Sequence, residues 1–275
     1  MRGRLSRWET VVDYKHLQRV AIAPHQLEPP LVHLTAAQQR YLLRVLRLGV
    51  GDGFIVMDGY QWWLSELVTA TSARLLEVIP AQTELPVELV MLVSMPKGNG
   101  MDDIVRQCTE LGVAAIVPVV SDRTLLQPSP KKVERWQRIA QEAAEQSERL
   151  MIPTMHEPMA WKAGLEHWSV PSVAGYMCVA RGDVPHLLTC LNPTFLNQQQ
   201  QKTPLQTVAI ATGPEGGWTD YEIQAAHSTG YRSVSLGRRI LRAVTAPMVA
   251  AALVAASYEA IATDANRIAP SASAD

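Results

Sequence analysis

Two glycine-marked segments late in the chain hold the residue types that could do chemistry. The first is Gly213-Pro214-Glu215-Gly216-Gly217-Trp218, and the second is Leu236-Gly237-Arg238-Arg239-Ile240-Leu241-Arg242. Gly213, Gly216 and Gly217 permit backbone conformations that other residues hold only at a cost, and they let a ligand approach the main chain. Their spacing is not that of a dinucleotide fingerprint, and no Gly-Lys-Ser/Thr follows as a P-loop requires. Alone, Gly-Pro-Glu-Gly-Gly reads as readily as a tight turn. The second segment, one helix and one strand further on, tips the reading towards a site. Residues 232–242 carry four arginines and no acid, a local basic patch that could hold an anion. Arginine stays protonated, so it makes a poor general base. The seven histidines are scattered, and His227 reads as a surface or packing residue. No His/Cys/Asp cluster asks for a metal.

The elements that must position these residues are legible on either side. Thr207–Ala211 is a short apolar run that reads as a buried strand. Thr219 precedes Glu222 by three, a capping box that opens a helix ending near Gly230. Ser233–Leu236 reads as a second strand, followed by Gly237 and the arginines. Thr245 is the expected N-cap of a last helix, with Pro247 in its first turn. That helix, Met248–Ile261, is rich in Ala and Val, so it packs closely on most sides. The result is two strand–loop–helix units, each with a glycine loop at the strand's carboxyl end, where open α/β sheets bind ligands.

Upstream, Ala36–Leu48 has helical periodicity and sets Arg40, Arg44 and Arg47 on one face. Short strands at 54–57, 62–69 and 73–79 with turns between them predict a small β-barrel. Trp62 and Trp63 point to opposite faces of their strand, so at most one could stack on a base from a given side. Residues 81–86 read as a linker. Glu88–Ser94 opens a second domain as a buried strand, followed by a helix at 101–111, a strand at 114–119 and a long helix at 130–149. Residues 154–171 read as an irregular connection, 172–180 as a strand, and 183–191 as a helix. The glutamine-rich stretch 192–203 reads as a polar loop.

The chain has 275 residues, 47% of them hydrophobic and 19% charged, with a formal net charge of −1. This suits two modest globular domains and excludes a polycation, so any nucleic-acid binding must rest on local patches. Residues 1–47 form one such patch, with eight Arg/Lys against three acids. No apolar run is long enough for a transmembrane helix, and the basic start lacks the apolar region of a secretory signal. Cys108, Cys178 and Cys190 have neither metal-ligand spacing nor an even framework, and they suit a reducing cytoplasm.

The two late segments together resemble the C-terminal signature of the RsmE family, SPOUT-class methyltransferases that modify N3 of a uridine in 16S, small-subunit, ribosomal RNA. That signature runs roughly G-P-E-G-G-(F/W), then L-G-x-R-I-L-R-x-E-T-A. Residues 213–218 and 236–242 match it, while Val244 stands where the family has an acid. Further resemblances are Val45-Leu46-Arg47, Glu110-Leu111-Gly112-Val113, Arg123-Thr124, Glu134-Arg135-Trp136 and the 142–149 segment ending at Arg149. The likeness covers about residues 17–260.

The resemblance implies an α/β fold: a trefoil-knotted, mostly parallel SPOUT sheet with helices on both faces, at 87–262. It also implies a PUA-like RNA-binding domain at 17–80, a leader at 1–16 and a tail at 263–275. The implied cofactor is S-adenosyl-L-methionine (AdoMet), held by Ile210, Gly213, Glu215, Gly217, Leu236, Gly237, Ile240 and Leu241. Arg239, Arg242 and Glu215 are the implied catalytic residues. The RNA would be met by Arg19, Arg40, Arg44, Arg47, Arg123, Arg149 and Arg238, with structure and RNA contact equally open for Arg149. The implied partners are 16S rRNA and a second copy of the chain, with no metal. Two alternatives stand beside this: a SPOUT enzyme acting on another RNA, and a non-catalytic ribosome-assembly protein, the latter motivated by Val244.

Overall fold

The computed structural model describes residues 14–191 and 207–268, with side chains to residue 260 except at position 15. Most of the leader, the glutamine-rich loop and the end of the tail lie outside these residues. The chain divides into two compact units between Gln82 and Thr83.

The first unit is a six-stranded sheet. Its strands are β1 (Arg19–Ala21), β2 (Leu27–Glu28), β3 (Leu31–His33), β4 (Gly53–Met57), β5 (Trp62–Thr69) and β6 (Ser72–Ile79), in the order β1-β4-β5-β6-β3-β2. β1 and β4 are parallel and the other pairings antiparallel. Val20, Val32, Leu42, Phe54, Val56 and Leu67 form its core. The three shortest strands escaped the sequence reading because two or three residues carry no measurable alternation. The predicted helix at 36–48 is also corrected. It is an α-helix, α1, only over Ala36–Arg40, opened by a Thr35–Gln38 capping box, and it widens into a π turn over Tyr41–Val45. The Leu46 N–H reaches back to the Tyr41 carbonyl at 3.0 Å, and Arg47 leaves the helix at φ 59°. A period-3.6 face through Arg40, Arg44 and Arg47 therefore does not form.

The second unit is built on a seven-stranded sheet whose pairings are all parallel among the described residues. It comprises β7 (Glu88–Ser94), β8 (Ala115–Val120), β9 (Thr154–Met155), β10 (Met159–Ala160), β11 (Val173–Cys178), β12 (Thr207–Thr212) and β13 (Arg232–Val234). The order is β10-β8-β7-β12-β11-β13, with β9 beside β8. β7 and β12 lie in the middle and read as continuous apolar runs because both of their faces are covered. Helices α2 (Gly100–Glu110) and α3 (Pro130–Gln146) pack over one face with the last helix, α7 (Thr245–Ile268). Leu89, Met91, Ile104, Trp136, Ile210 and Val254 share that core. The other face takes α4 (Trp161–His167) and α6 (Asp220–Ser228), around Val90, Val117, Ala211 and Leu165.

Several boundaries differ from the expectation. Residues 154–171 are not irregular, since they supply β9, β10 and α4. The helix expected at 183–191 shortens to α5, Leu187–Cys190. Thr245 is the first residue of α7 rather than its cap, because Val244 occupies the turn before it. No described helix is long and apolar enough to cross a membrane.

Candidate active site

The first glycine loop begins where β12 runs out. Gly217 sits at φ +68°, and its N–H closes on the Pro214 carbonyl at 2.9 Å. Trp218 folds back over Gly213, where a Cβ would come within 3.1 Å of the indole, so any larger residue there would push the ring aside by a few tenths of an ångström. The indole Nε1 donates to the Cys178 carbonyl at 3.0 Å, and its ring packs on Trp161 with centroids 4.4 Å apart. The predicted capping box is present: the Thr219 hydroxyl accepts from the Glu222 N–H, and Glu222 Oε2 accepts from the Thr219 N–H at 2.8 Å. Glu222 is buried, and its other oxygen accepts the Asp122 N–H at 2.9 Å. From neighbouring strand ends, Arg123 Nη1 donates to the Gly216 carbonyl at 2.6 Å, and the Lys97 N–H donates to Glu215 Oε1 at 2.9 Å.

The second loop follows β13. Gly237 lies at φ +116°, a conformation that favours glycine, and both its N–H and C=O bond the Ser235 hydroxyl. From Arg238 to Leu241 the backbone polar groups have no partner among the described residues. Arg238, Arg239, Ile240 and Arg242 are exposed, while Leu236 and Leu241 are half-buried. The Arg242 carbonyl accepts from the Thr245 and Ala246 N–H groups and so launches α7. None of the three guanidinium groups has a protein partner among the described residues.

β11 lies between β12 and β13, so the two loops flank its carboxyl end and enclose one cleft of about 960 Å³. This is the size of a small-molecule site. The structure brings the candidate residues Gly213, Glu215, Gly217, Leu236, Gly237, Arg239, Ile240, Leu241 and Arg242 together on its lining, with Arg123 beside them. Cys178, Arg181 and Asp220 also line it and were missed. For Cys178 and Arg181 the missing signal was strand order, since nothing in the sequence says that β11 is inserted between the other two. Burial pushes the Cys178 thiol up to about 12, so it is neutral near pH 7 and is no nucleophile.

Other predicted positions fall elsewhere. Ile210 is a correction: it is fully buried in the α2–α3–α7 core and does not line the cleft. Arg238 lies just outside the lining. Arg149 resolves to its structural alternative. It is 3% exposed, pairs with Glu84, and donates to the Thr109 and Val113 carbonyls at 3.1 and 2.7 Å. In the first unit Arg19 is buried over the Trp62 ring at 4.7 Å, whereas Arg40, Arg44 and Arg47 are exposed. Trp62 is therefore core, and Trp63 is the more open of the pair.

A family model described as an RNA methyltransferase domain matches residues 83–255, which include the whole cleft. Over 245 residues the chain is 46% identical to ribosomal RNA small subunit methyltransferase E of Synechocystis, covering 88% of this chain and 78% of that one. The chain belongs to the RsmE family. The RsmE relative of the same name from Bacillus subtilis is 28% identical, over 84% of this chain and 91% of its own. A crystal structure of the RsmE protein of Neisseria gonorrhoeae, bound to S-adenosyl methionine, superposes with a TM-score of 0.73. It shares 28% identity over 86% of this chain and 96% of that one.

Proposed function

We propose that the protein transfers a methyl group from AdoMet to N3 of a uridine in 16S rRNA. The observation that carries the reading is a single cleft with two chemically different walls: a glycine loop on one side, and an apolar, arginine-rimmed loop on the other. AdoMet fits the residues present. The unpartnered backbone groups of 238–241 can read an adenine edge, Leu236, Ile240 and Leu241 give its ring an apolar bed, and Gly217 and Gly237 leave no side chain in the way.

When bound, AdoMet supplies a methyl group on a sulfonium. The protein must then hold the uracil in line and favour loss of the weakly acidic N3 proton. Arg239 and Arg242, on the cleft rim with no protein partner, can donate to O2 and O4 and stabilise the anion electrostatically. Among the lining side chains, the carboxylates able to take the proton are Glu215, with Oε2 left over from the Lys97 bond, and Asp220. Val244 packs beside Gly100 and against the core of the second unit and also lines the cleft, so the position of the family's acid faces the site here with an apolar side chain.

The same reading makes the first unit a PUA-like RNA-binding domain, with Arg40, Arg44 and Arg47 as its open cations. It makes the second unit a trefoil-knotted SPOUT domain that acts as a cytoplasmic homodimer. Mass spectrometry of 16S rRNA from a deletion strain tests the substrate. One N3-methyluridine should vanish and return with the wild-type gene but not with Arg242→Ala. Unchanged 16S rRNA together with a methyl lost from another RNA would move the activity to that RNA.

A further inference from the structure

Arg123 reads from sequence as an RNA contact, but its bonds run inward. It leaves the carboxyl end of β8, and its Nη1 donates to the Gly216 carbonyl at 2.6 Å and, more weakly, to the Trp218 carbonyl at 3.4 Å. Its stem lies directly across Gly216, where an added Cβ would come within 3.0 Å of Arg123 Cδ. The peptide joining Gly216 to Gly217 is held at both ends, its C=O by Arg123 and its N–H by the Pro214 carbonyl. The peptide joining Trp218 to Thr219 is held likewise, by Arg123 and by Glu222 Oε2. Between them lies the Gly217–Trp218 peptide, whose C=O and N–H have no partner among the described residues.

We propose that Arg123 is a positioning residue for the methyl-donor loop: by bridging two carbonyls it fixes the peptide between them for contact with AdoMet. A run of two glycines loses more backbone freedom on ordering than any other pair. Making those bonds before the ligand arrives moves that entropy loss into folding and leaves it out of binding. Both bonds leave the one Nη1, whose N–H groups are held in the plane of the guanidinium and so aim at the carbonyls in fixed geometry, whereas the rotating ammonium of a lysine would have to be ordered for the same task. Asp122 secures the far end of the same loop, through its N–H to Glu222 and its carboxylate to the Thr219 hydroxyl.

The inference rests on reading the cleft as the AdoMet site, and the experiment separates the two. AdoMet and its demethylated product are titrated calorimetrically into the full-length protein, its Arg123→Ala, Arg123→Lys and Gly216→Ala variants, and the double variant. Amide exchange across 213–220 is followed without ligand, and binding to 16S rRNA is measured in parallel. Arg123→Ala should weaken AdoMet about tenfold, as expected for a lost charged hydrogen bond, and should speed exchange in the loop. RNA affinity should stay within about twofold, since no RNA contact is lost. Lysine should restore part of the loss. Gly216→Ala, which displaces the arginine, should behave like Arg123→Ala, and the double variant should be no worse than the poorer single one. Unchanged AdoMet affinity in Arg123→Ala, with or without weaker RNA binding, overturns the proposal. So does an equal loss of both ligands with a lower melting temperature, which would mark a general fold defect. A wild-type protein that binds no AdoMet overturns the reading of the cleft itself.

Discussion

The two glycine loops look alike in sequence and are held in opposite ways. The first, at 213–219, is tied by Lys97 through Glu215, by Arg123 through two carbonyls, by Trp218 to the end of β11 and by Asp122 at Thr219. The second, at 236–242, has a serine at its start and the first turn of α7 at its end, with open backbone between them. One wall of the cleft is built before any ligand arrives. The other keeps its polar groups and its charges for what binds. Preorganised dipoles need rigidity, whereas arginines that close on a large RNA need reach, and a single cleft can supply both only if its walls differ.

The largest effect expected from this contrast is on turnover. Arg242→Ala, on the open wall, should lower kcat by about 10²–10³-fold, the range for loss of one charge-stabilising donor. AdoMet affinity, measured by calorimetry, should change far less, and equal loss of both would place Arg242 in cofactor binding instead. Next come the ties of the fixed wall. Thr219→Ala removes a cap and should cost roughly 1–2 kcal/mol in urea unfolding. Ser235→Ala, on the open wall, should cost less than about 1 kcal/mol. A reversed order would contradict the asymmetry. Gly100→Ala sharpens it from below, since its Cβ would come within 2.7 Å of Val244 Cγ2 at the base of the open wall. It should destabilise by about 1–3 kcal/mol, as overpacking does, and adding Val244→Ala should recover part of that.

A last effect appears only at alkaline pH. Burial raises the Cys178 thiol beneath the fixed wall, and Cys108 in the α2 core, from 9.0 to about 12. The folded state therefore keeps protons that the unfolded chain releases. The stability this represents is intact below pH 9 and drains away between pH 9 and 12, at up to about 1.4 kcal/mol per pH unit for each thiol. Urea midpoints across that window check it, and alkylation of Cys178 at pH 7.5 should await unfolding.

How much of this was legible in the sequence depended on what each residue is bonded to. β12, the Thr219 capping box and both glycine turns could be read because their signals are local. The arginines could not be sorted the same way. Arg149 is neutralised by Glu84, which lies 65 positions earlier, and Arg123 meets a loop 93 positions later. Arg19 is covered by Trp62. Arg242, Arg239 and Arg238 remain open, and nothing in their spacing separates them from the others. Ile210 was misplaced for a related reason: it stands near the loop along the chain, but its strand turns it into the core. Cys178 and Arg181, at the end of β11, were missed because strand order is a long-range property, whereas Asp220 adjoins the first loop along the chain and only its facing into the cleft was illegible.

A crystal structure of the protein soaked with AdoMet tests the central claim most directly. The account predicts the donor between residues 213–218 and 236–241, with the Gly217–Trp218 peptide and the 238–241 backbone on its polar edges and the methyl group directed towards Arg239 and Arg242. A donor bound elsewhere on the molecule, with both loops unliganded, would contradict it.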